Sequence, residues 1–331
     1  MLTGGTPLTQ ASRRTPCLPA CSVVIPCYNA LRTIAATIDS ARRQTVKDIE
    51  IIVVDDGSRD AGAETIAAIA KIDPRILVIK QSNAGVSAAR NTGIAAASSR
   101  IIAFLDSDDL WAATHLEAHL RRLQNDPRLG LSYSPARFID TNGKVIGRSR
   151  PKLEKLTPLD MLLGNPTTTC STLVVKREVF KDVGLFKTRM RHNEDQEWLF
   201  RVALSGWVMS GDPALLVDYS TSPGGLASDL AGMFHGFEIM MQEARKLAPK
   251  LVERNARSAT ANMHRYLARR SIAIGLPRSV ARSYMFSGIR TRPIMLLAEP
   301  LATLPILAAC FLPPTLTTNM LHYARQHAVN A

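Results

Sequence analysis

The stretch Arg100-Ile-Ile-Ala-Phe-Leu-Asp-Ser-Asp-Asp109 joins a short apolar run directly to a cluster of carboxylates. The apolar run Ile101–Leu105 predicts a strand that is buried on both faces. Asp106, Asp108 and Asp109 follow at once, and carboxylates this close repel one another unless a cation or hydrogen-bond donors neutralise them. Such oxygen ligands select hard ions, so we expect Mg2+ or Mn2+. The alternative is an ordinary turn or helix cap, because Asp is common in both.

The chain before this stretch alternates apolar runs with segments of helical periodicity. This alternation predicts an α/β fold with a mostly parallel sheet flanked by helices. The carboxyl edge of such an open sheet is where nucleotides usually bind, so the aspartates would lie at a ligand site. The predicted strands are Ser22–Pro26, Ile49–Val54 and Ile76–Lys80, and the predicted helices are Leu31–Ala41, Asp60–Lys71 and Val86–Ala97.

Charge is distributed unevenly along the 331 residues, whose formal net charge is +13. From Glu243 to Arg292 there are twelve Lys and Arg against two acids, a local excess of +10. Aromatic residues make up only 5% of the chain and no base-stacking motif accompanies the basic segment, so we do not expect nucleic acid as a partner. An anionic membrane surface is the expected partner of this charge.

Five cysteines occur without a Cys-x-x-Cys pair or zinc spacing, a sparse usage typical of a reducing compartment. Residues 1–20 are rich in Thr, Pro, Gly and Ser and have no apolar core segment, so they predict a disordered leader and not a signal peptide. We therefore expect a cytoplasmic protein, peripheral at the inner face of the plasma membrane. The cysteines are Cys17, Cys21, Cys27, Cys170 and Cys310.

Four motifs in order, "VIPCYN", "IIVVDDGS", "NAGVSAARNTGIAAA" and "IIAFLDSDD", carry a family resemblance. Each is weak alone, but their order and spacing resemble the inverting family 2 glycosyltransferases of the GT-A fold. The resemblance runs from about Cys21 to Gly225. It implies a catalytic domain over residues 21–225, followed by a basic helical extension with an apolar tail over residues 226–331.

Pro26, Tyr28, Asp55 and Asp56 follow or end predicted strands, where backbone groups and a carboxylate can read a nucleobase edge. The resemblance implies that Asp56 or Asp55 accepts the imide N–H of uracil or a comparable base. An Asx-turn with Ser58 capping a helix is the alternative.

Gly85 begins a predicted helix, so free N–H groups and the positive end of the helix dipole can face a donor phosphate. Arg90 can add a charge-assisted contact to the donor. A surface arginine is its alternative. By resemblance, Asp108 is the direct ligand of the cation, and Asp106 shares the metal site and lies towards the ribose.

The segment Asn193–Arg201 contains a second acidic motif, Glu-Asp. On a helix Asp195 shares a face with Trp198, and an acid on an apolar face is costly without a partner or a task. The segment resembles the Glu-Asp motif of these transferases, which implies that Asp195 is the catalytic base. Helix capping is its alternative. Glu197 and Arg201 are expected to form a surface ion pair.

Three further segments carry expectations. A helix over Trp111–Leu123 would leave His115 and His119 in solvent. Pro223–Ser228 resembles the loop that follows the catalytic helix in the family, although the arginine that often precedes it there is missing. The tail 294–316 is long enough to span a membrane, but four prolines and Glu299 favour an interfacial or packed segment.

The function implied is inverting, metal-dependent transfer of a sugar from a nucleotide-diphosphate sugar to an acceptor hydroxyl. A UDP-sugar is the preferred donor, and a glycan or lipid-linked molecule of the cell envelope is the expected acceptor. One rival is a glycoside hydrolase with a carboxylate pair, which leaves the metal-type cluster without a role. The other rival is a non-catalytic sugar-nucleotide or lipid-binding protein on the same fold.

Overall fold

A computed structural model describes residues 18–221, 228–313 and 317. The predicted alternation of strands and helices is confirmed in the first hundred residues, with boundaries that move by at most a few positions. The strands are β1 (Cys21–Cys27), β2 (Ile49–Asp55), β3 (Ile76–Lys80) and β4 (Ile101–Phe104). The helices between them are α1 (Ile34–Arg42), α2 (Gly62–Ala70) and α3 (Val86–Ala96).

The central sheet has seven strands in the order β10-β6-β9-β4-β1-β2-β3. All its pairs are parallel except those of β9, which runs antiparallel to both β4 and β6. A smaller four-stranded sheet has the order β5-β11-β7-β8. The remaining strands are β5 (Leu110–Trp111), β6 (Leu129–Tyr133), β7 (Ala136–Ile139), β8 (Val145–Arg148), β9 (Val174–Lys176), β10 (Val208–Gly211) and β11 (Val217–Ser220).

Nine helices follow in the rest of the described chain. The two longest lie in the C-terminal third. Their residues Phe237, Met240 and Met263 pack into the hydrophobic core that also contains residues of α3 and of the helix with the second acidic motif. The helices are α4 (His115–Asn125), α5 (Pro158–Leu163), α6 (Arg177–Val183), α7 (Glu194–Leu204), α8 (Leu230–Leu247), α9 (Pro249–Ala273), α10 (Arg278–Thr291), α11 (Met295–Ala298) and α12 (Pro300–Ala309).

Alternate residues of the central strands enter two cores, one on each face of the sheet. Val24 and Phe104 lie in one core, and Val23 and Ala103 lie in the other. This double burial explains why these strands read as continuous apolar runs instead of alternating ones. Gly93 of α3 lies so close to β1 that a Cβ there would be 2.3 Å from a methyl of Val24, so this motif glycine permits close helix–sheet packing.

The prediction that His115 and His119 are solvated is wrong, because both side chains are fully buried. The predicted helix begins only at His115, and Trp111 lies on β5. The His115 ring stacks on Trp111 with 4.2 Å between centroids, and Nδ1 of His119 lies 2.8 Å from Ser132 Oγ. Leu116, Leu120 and Leu123 form a buried stripe on α4. His115 and His119 each adjoin one of these leucines, so the buried face of the helix is wider than its leucine stripe.

Glu197 and Arg201 form the predicted ion pair, with 2.9 Å between Oε2 and the guanidinium, but its surface position is wrong. The Glu197 side chain is buried and also pairs with Lys187 Nζ at 2.8 Å. Lys187 contacts Glu243 as well, so the pair is part of a network that joins α7 to α8.

The tail forms two short helices, α11 and α12, with Pro300 in the first turn of α12 and Pro305 inside it. Within the described ranges, none of the helices combines the length and apolarity that a membrane span requires. Most of the predicted leader, residues 1–17, lies outside the described residues, as do residues 223–227 of the family-like loop and residues 314–316 of the tail.

Candidate active site

The carboxyl ends of β1, β2 and β4 meet at one edge of the central sheet. In the parallel register Cys27 lies opposite Asp55, and Val24 lies opposite Phe104. The loops that carry Tyr28, Asp56 and Asp106 therefore leave the sheet side by side. Pro26 is buried within β1, whereas the Tyr28 side chain is 44% exposed just beyond it.

Asp56 organises the start of α3. Its Oδ1 accepts hydrogen bonds from the Gln81 side chain (2.7 Å) and the Ala84 N–H (2.9 Å), and its Oδ2 accepts one from the Gly85 N–H (2.8 Å). Gly85 has φ +90°, a conformation that favours glycine. The Gly85 N–H, which was expected to face a phosphate, thus donates to Asp56 in this structure.

Asp55 bonds within its own loop, but it does not form the Asx-turn that is its alternative role. Its Oδ1 accepts from the N–H of Ser58, three residues on, at 3.0 Å, whereas an Asx-turn bonds the N–H two residues on. Ser58 caps no helix, because α2 begins only at Gly62; its Oγ instead accepts from the Asn29 N–H at 3.1 Å. Both aspartates are buried. Asp56 Oδ1 already accepts from two donors, whereas Asp56 Oδ2 and Asp55 Oδ1 each accept from one and so retain a lone pair for a further donor.

Arg90 is buried between the two acidic motifs, so the alternative of a surface arginine is wrong. Its guanidinium lies 2.6 Å from Asp106 Oδ1 and 2.8 Å from Glu194 Oε1, and it sits 5.8 Å from the ring centroid of Phe186. Burial opposes its charge, but Asp106 and Glu194 hold the Arg90 pKa well above its usual value. Nε of Arg90 is buried and has no hydrogen-bond partner among the described residues. Arg90 therefore joins the end of β4 to the start of α7.

The three aspartates after β4 have different surroundings. Asp109 is fully buried; its Oδ2 accepts from Ser171 Oγ (2.6 Å) and its Oδ1 from the Ser220 N–H (2.9 Å), so it ties β4 to β11. Asp106 also accepts a hydrogen bond from Thr169 Oγ1 at 3.2 Å. Burial and the neighbouring charge of Asp106 raise the pKa of Asp108 to about 6.

This set of oxygens is suited to a hard cation. An ion next to Asp108 would favour the ionised carboxylate that burial and Asp106 disfavour. Among the residues that the structure describes, no group of three or more His, Cys, Asp or Glu side chains forms a metal centre. The two carboxylates of Asp106 and Asp108 nevertheless match the usual binding of Mg2+, which is held by one or two protein carboxylates plus substrate phosphates.

Asp195 lies in the first turn of α7, and Asn193, not Asp195, is the N-cap residue of that helix. The Oδ2 atom of Asp195 accepts a hydrogen bond from Asn165 Nδ2 at 2.7 Å, and Oδ1 of Asp195 accepts one from the Gln196 N–H at 2.7 Å. Burial raises the pKa of Asp195, while the charge of Arg90 opposes this. The neighbouring Glu194 has its pKa raised to about 7 by burial.

Sequence reasoning missed Asn165, Thr169 and Ser171, which all contact the acidic motifs. They lie between α5 and β9, in a segment that includes a 3-10 turn at Cys170–Thr172. Asn165-Pro166 signals a turn, but a turn signal does not say which side chains it brings towards Asp106 and Asp195.

Residues 22–184 match glycosyl transferase family 2. The uncharacterized glycosyltransferase alr2836 of Nostoc sp. is 37% identical over 171 residues, which are 49% of this chain and 52% of that protein. The matched regions make up 37%, 27% and 17% of the length of three other relatives, so the chain spans about half or less of the length of these curated relatives.

Two solved structures resemble the chain over most of its length. The mannosyltransferase PcManGT of Pyrobaculum calidifontis, in complex with GDP-Man and Mn2+, has a TM-score of 0.60 at 20% identity and covers 95% of this chain and 87% of its own. TarS 1–349 of S. aureus, in complex with UDP-GlcNAc, has a TM-score of 0.57 at 17% identity and covers 84% and 92%. These likenesses confirm the GT-A fold.

The family match contains the strand-end residues from Pro26 to Asp108 and ends before Asp195. The order of motifs, the sheet edge at which they meet and the family match agree. The chain belongs, through residues 22–184, to glycosyl transferase family 2.

Proposed function

We propose that this protein transfers a sugar from a nucleotide-diphosphate sugar to an acceptor hydroxyl, with inversion at the anomeric carbon. The observation that carries the proposal is the position of Arg90, which contacts Asp106 of one acidic motif and Glu194 of the other. Arg90 thereby holds Asp106, on the proposed donor side, close to the start of the helix that carries the proposed base Asp195. The neighbours solved with UDP-GlcNAc and GDP-Man support a nucleotide-sugar donor.

Donor binding uses the sheet edge. Tyr28 is exposed beside Asp55 and Asp56, which can accept a base N–H, and a UDP-sugar is the preferred donor. Asp106 and Asp108 would hold Mn2+ or Mg2+, and such an ion offsets the charge that grows on the leaving diphosphate. Mn2+ in the PcManGT complex supports this assignment. Arg90 acts here by orienting Asp106 from within the protein.

Asp195 is the general base of the proposal. Its raised pKa makes the carboxylate a better proton acceptor than an exposed aspartate. Asn165 donates to Oδ2, which restricts the orientation of the carboxylate. A direct displacement inverts the anomeric carbon and needs one base and no protein nucleophile, so these residues suffice for the proposed inverting course.

The acceptor is proposed to be a glycan or a lipid-linked molecule in cell-envelope synthesis, and the protein is proposed to act peripherally at the cytoplasmic face of a membrane. The excess of +10 between Glu243 and Arg292 supports this location. Nucleic acid is not proposed as a partner.

A screen of nucleotide sugars, with release of the nucleotide measured with and without Mn2+, tests the proposal. We expect Mn2+-dependent release of nucleotide from one UDP-sugar, and we expect Asp195→Asn to lower the rate of this release by about 10^2–10^4-fold. Donor binding without any release, with or without acceptors, would instead favour the non-catalytic sugar-nucleotide-binding rival.

A further inference from the structure

Helix α12 has one buried face and one exposed apolar face. Ala302, Ile306 and Ala309 are buried, whereas Leu301 and Leu304 are 49% and 48% exposed. The chain continues its helical course past the end of α12, because the Phe311 N–H donates to the Ala308 carbonyl at 3.0 Å. Leu301, Leu304 and Phe311 therefore fall on one stripe, at i, i+3 and i+10. Leu297 of α11 lies one turn earlier in sequence and is 79% exposed.

Helix α10 adds a second stripe beside the first. Arg282, Phe286 and Arg290 are spaced four residues apart and so share one face of α10. The Phe286 ring meets the Phe311 ring edge-on, with 6.3 Å between centroids, and the Arg282 guanidinium lies 5.6 Å from the centroid of Phe311. Exposed aromatic rings from two segments thus meet beside an arginine.

The charge around these stripes is positive. Between Ile274 and Pro313 there are four arginines and one acid, Glu299. Glu299 is already paired with Arg265 at 2.6 Å and with Arg292 at 2.7 Å. We name the set Arg282, Phe286, Arg290, Leu297, Leu301, Leu304 and Phe311 the α10–α12 surface.

We propose that the α10–α12 surface binds an anionic lipid bilayer, with the exposed Leu and Phe side chains among the acyl chains and the arginines at the headgroups. Exposed apolar side chains favour the boundary of the acyl chains, and arginines beside them can reach the anionic headgroups. A second copy of the chain fits less well, because a two-fold contact would bring the arginines of both copies together. The inference extends the peripheral location proposed above and is independent of the transfer chemistry.

Co-sedimentation of the full chain with phosphatidylcholine vesicles, with and without phosphatidylglycerol, tests the inference. We expect binding only when the anionic lipid is present, and release as salt rises from about 0.1 M to about 1 M, because the screening length shortens about threefold. Replacing Arg282 and Arg290 by Gln should weaken binding about 30-fold, from a contribution of about 1 kcal/mol for each basic residue at the surface. Replacing Arg43 and Arg128, whose side chains are 77% and 85% exposed elsewhere, changes the net charge equally and is the matched control.

Leu301→Ser combined with Leu304→Ser should weaken binding about tenfold or more, from the apolar area withdrawn from water. Ile72→Ser, at a position 72% exposed on another part of the surface, should not. Melting temperature and nucleotide release with a soluble acceptor are measured on every variant. A variant that loses vesicle binding but releases nucleotide at the wild-type rate supports the inference. If the wild-type protein binds vesicles but releases no nucleotide, the inference is supported equally, and the proposed transferase activity is contradicted.

Equal binding to neutral vesicles, or equal losses in the control variants, would overturn the assignment to this surface. Absence of vesicle binding, together with a dimer in solution that the Leu301 and Leu304 variant converts to monomers, would assign the surface to a second copy instead.

Discussion

The Asn165 side-chain amide donates a 2.7 Å hydrogen bond to Oδ2 of Asp195, across 30 residues of sequence. The orientation of the Asn165 amide is set by Thr167, whose N–H and Oγ1 both donate to Asn165 Oδ1, at 3.1 and 2.9 Å. A hydrogen bond to a charged group stabilises it by about 1.5–3 kcal/mol. Asn165 is therefore a positioning residue for the proposed base, and it also stabilises the ionised form of Asp195.

Asn165→Ala should shift the acidic limb of the rate–pH profile upward by about one unit or more, because the ionised Asp195 loses a donor and one pKa unit corresponds to about 1.4 kcal/mol. The maximal rate should fall while the KM for the donor stays level. The rate–pH profile of the purified enzyme checks this. Asn255→Ala, at an amide that donates to the Leu251 carbonyl of its own helix, is the control. An unshifted profile would assign Asn165 a purely structural role.

Asp195→Asn should lower turnover by about 10^2–10^4-fold, the usual contribution of a general base. Donor affinity and melting temperature should stay close to those of the wild type, because Asn keeps the shape of the side chain and Asn193, not Asp195, occupies the N-cap position of α7. Single-turnover kinetics and donor titration on the same preparation check both points. Near wild-type transfer would remove Asp195 from the role of base, and Glu194 would be the next residue to test.

Asp108→Asn should weaken donor binding as well as turnover and remove most of the dependence on Mn2+. Without metal the stability should stay level or rise, because the raised pKa of Asp108 reports repulsion from Asp106 and the cost of burial. Calorimetric titration of UDP with and without Mn2+, and thermal melting of the metal-free protein, check the two effects. Asp48→Asn, at an exposed position, is the control. A folded variant with unchanged Mn2+ dependence would contradict the metal assignment.

The buried histidine pair predicts a loss of stability in acid. Burial lowers the pKa of His115 well below its ordinary value and that of His119 from 6.5 to about 4. At these two histidines the unfolded chain therefore binds more protons than the folded chain below pH 6.5, so the pair contributes a fall in the free energy of unfolding as the pH drops from 6.5 towards 4. Asp108 and Glu194, whose pKa values are raised in the folded chain, contribute with the opposite sign. Denaturant unfolding across this range measures the slope of the free energy of unfolding against pH, to which the histidine pair adds a positive contribution.

His115→Phe should reduce that slope. Both ring nitrogens of His115 are buried without partners among the described residues, and Phe keeps an aromatic ring against Trp111. At neutral pH the variant should be as stable as the wild type or more stable by about 1 kcal/mol, because an unsatisfied buried polar group is removed. His235→Phe, at a side chain 74% exposed, should leave the slope unchanged. A destabilised variant with the wild-type slope would be the contrary result.

The local features of the candidate site could be predicted from the sequence because each depends on neighbouring residues. A continuous apolar run that stops at charged residues marks a strand buried on both faces and its end, so β1, β2 and β4 and the positions of Asp56, Asp106 and Asp108 followed directly. Parallel strands joined by helices bring such ends to one edge. The order of the four motifs added the family.

Contacts between distant segments were decided only by the tertiary structure. Arg90 meets Glu194 across 104 residues and Asn165 meets Asp195 across 30, and no local periodicity encodes either approach. Burial of His115 and Glu197 depends likewise on which elements cover α4 and α7, because a helix pattern describes its own faces and not its neighbours. The sequence by itself determined the strands, their polar ends and the family; packing decided that a buried arginine holds the two acidic motifs together and that a distant asparagine positions the proposed base.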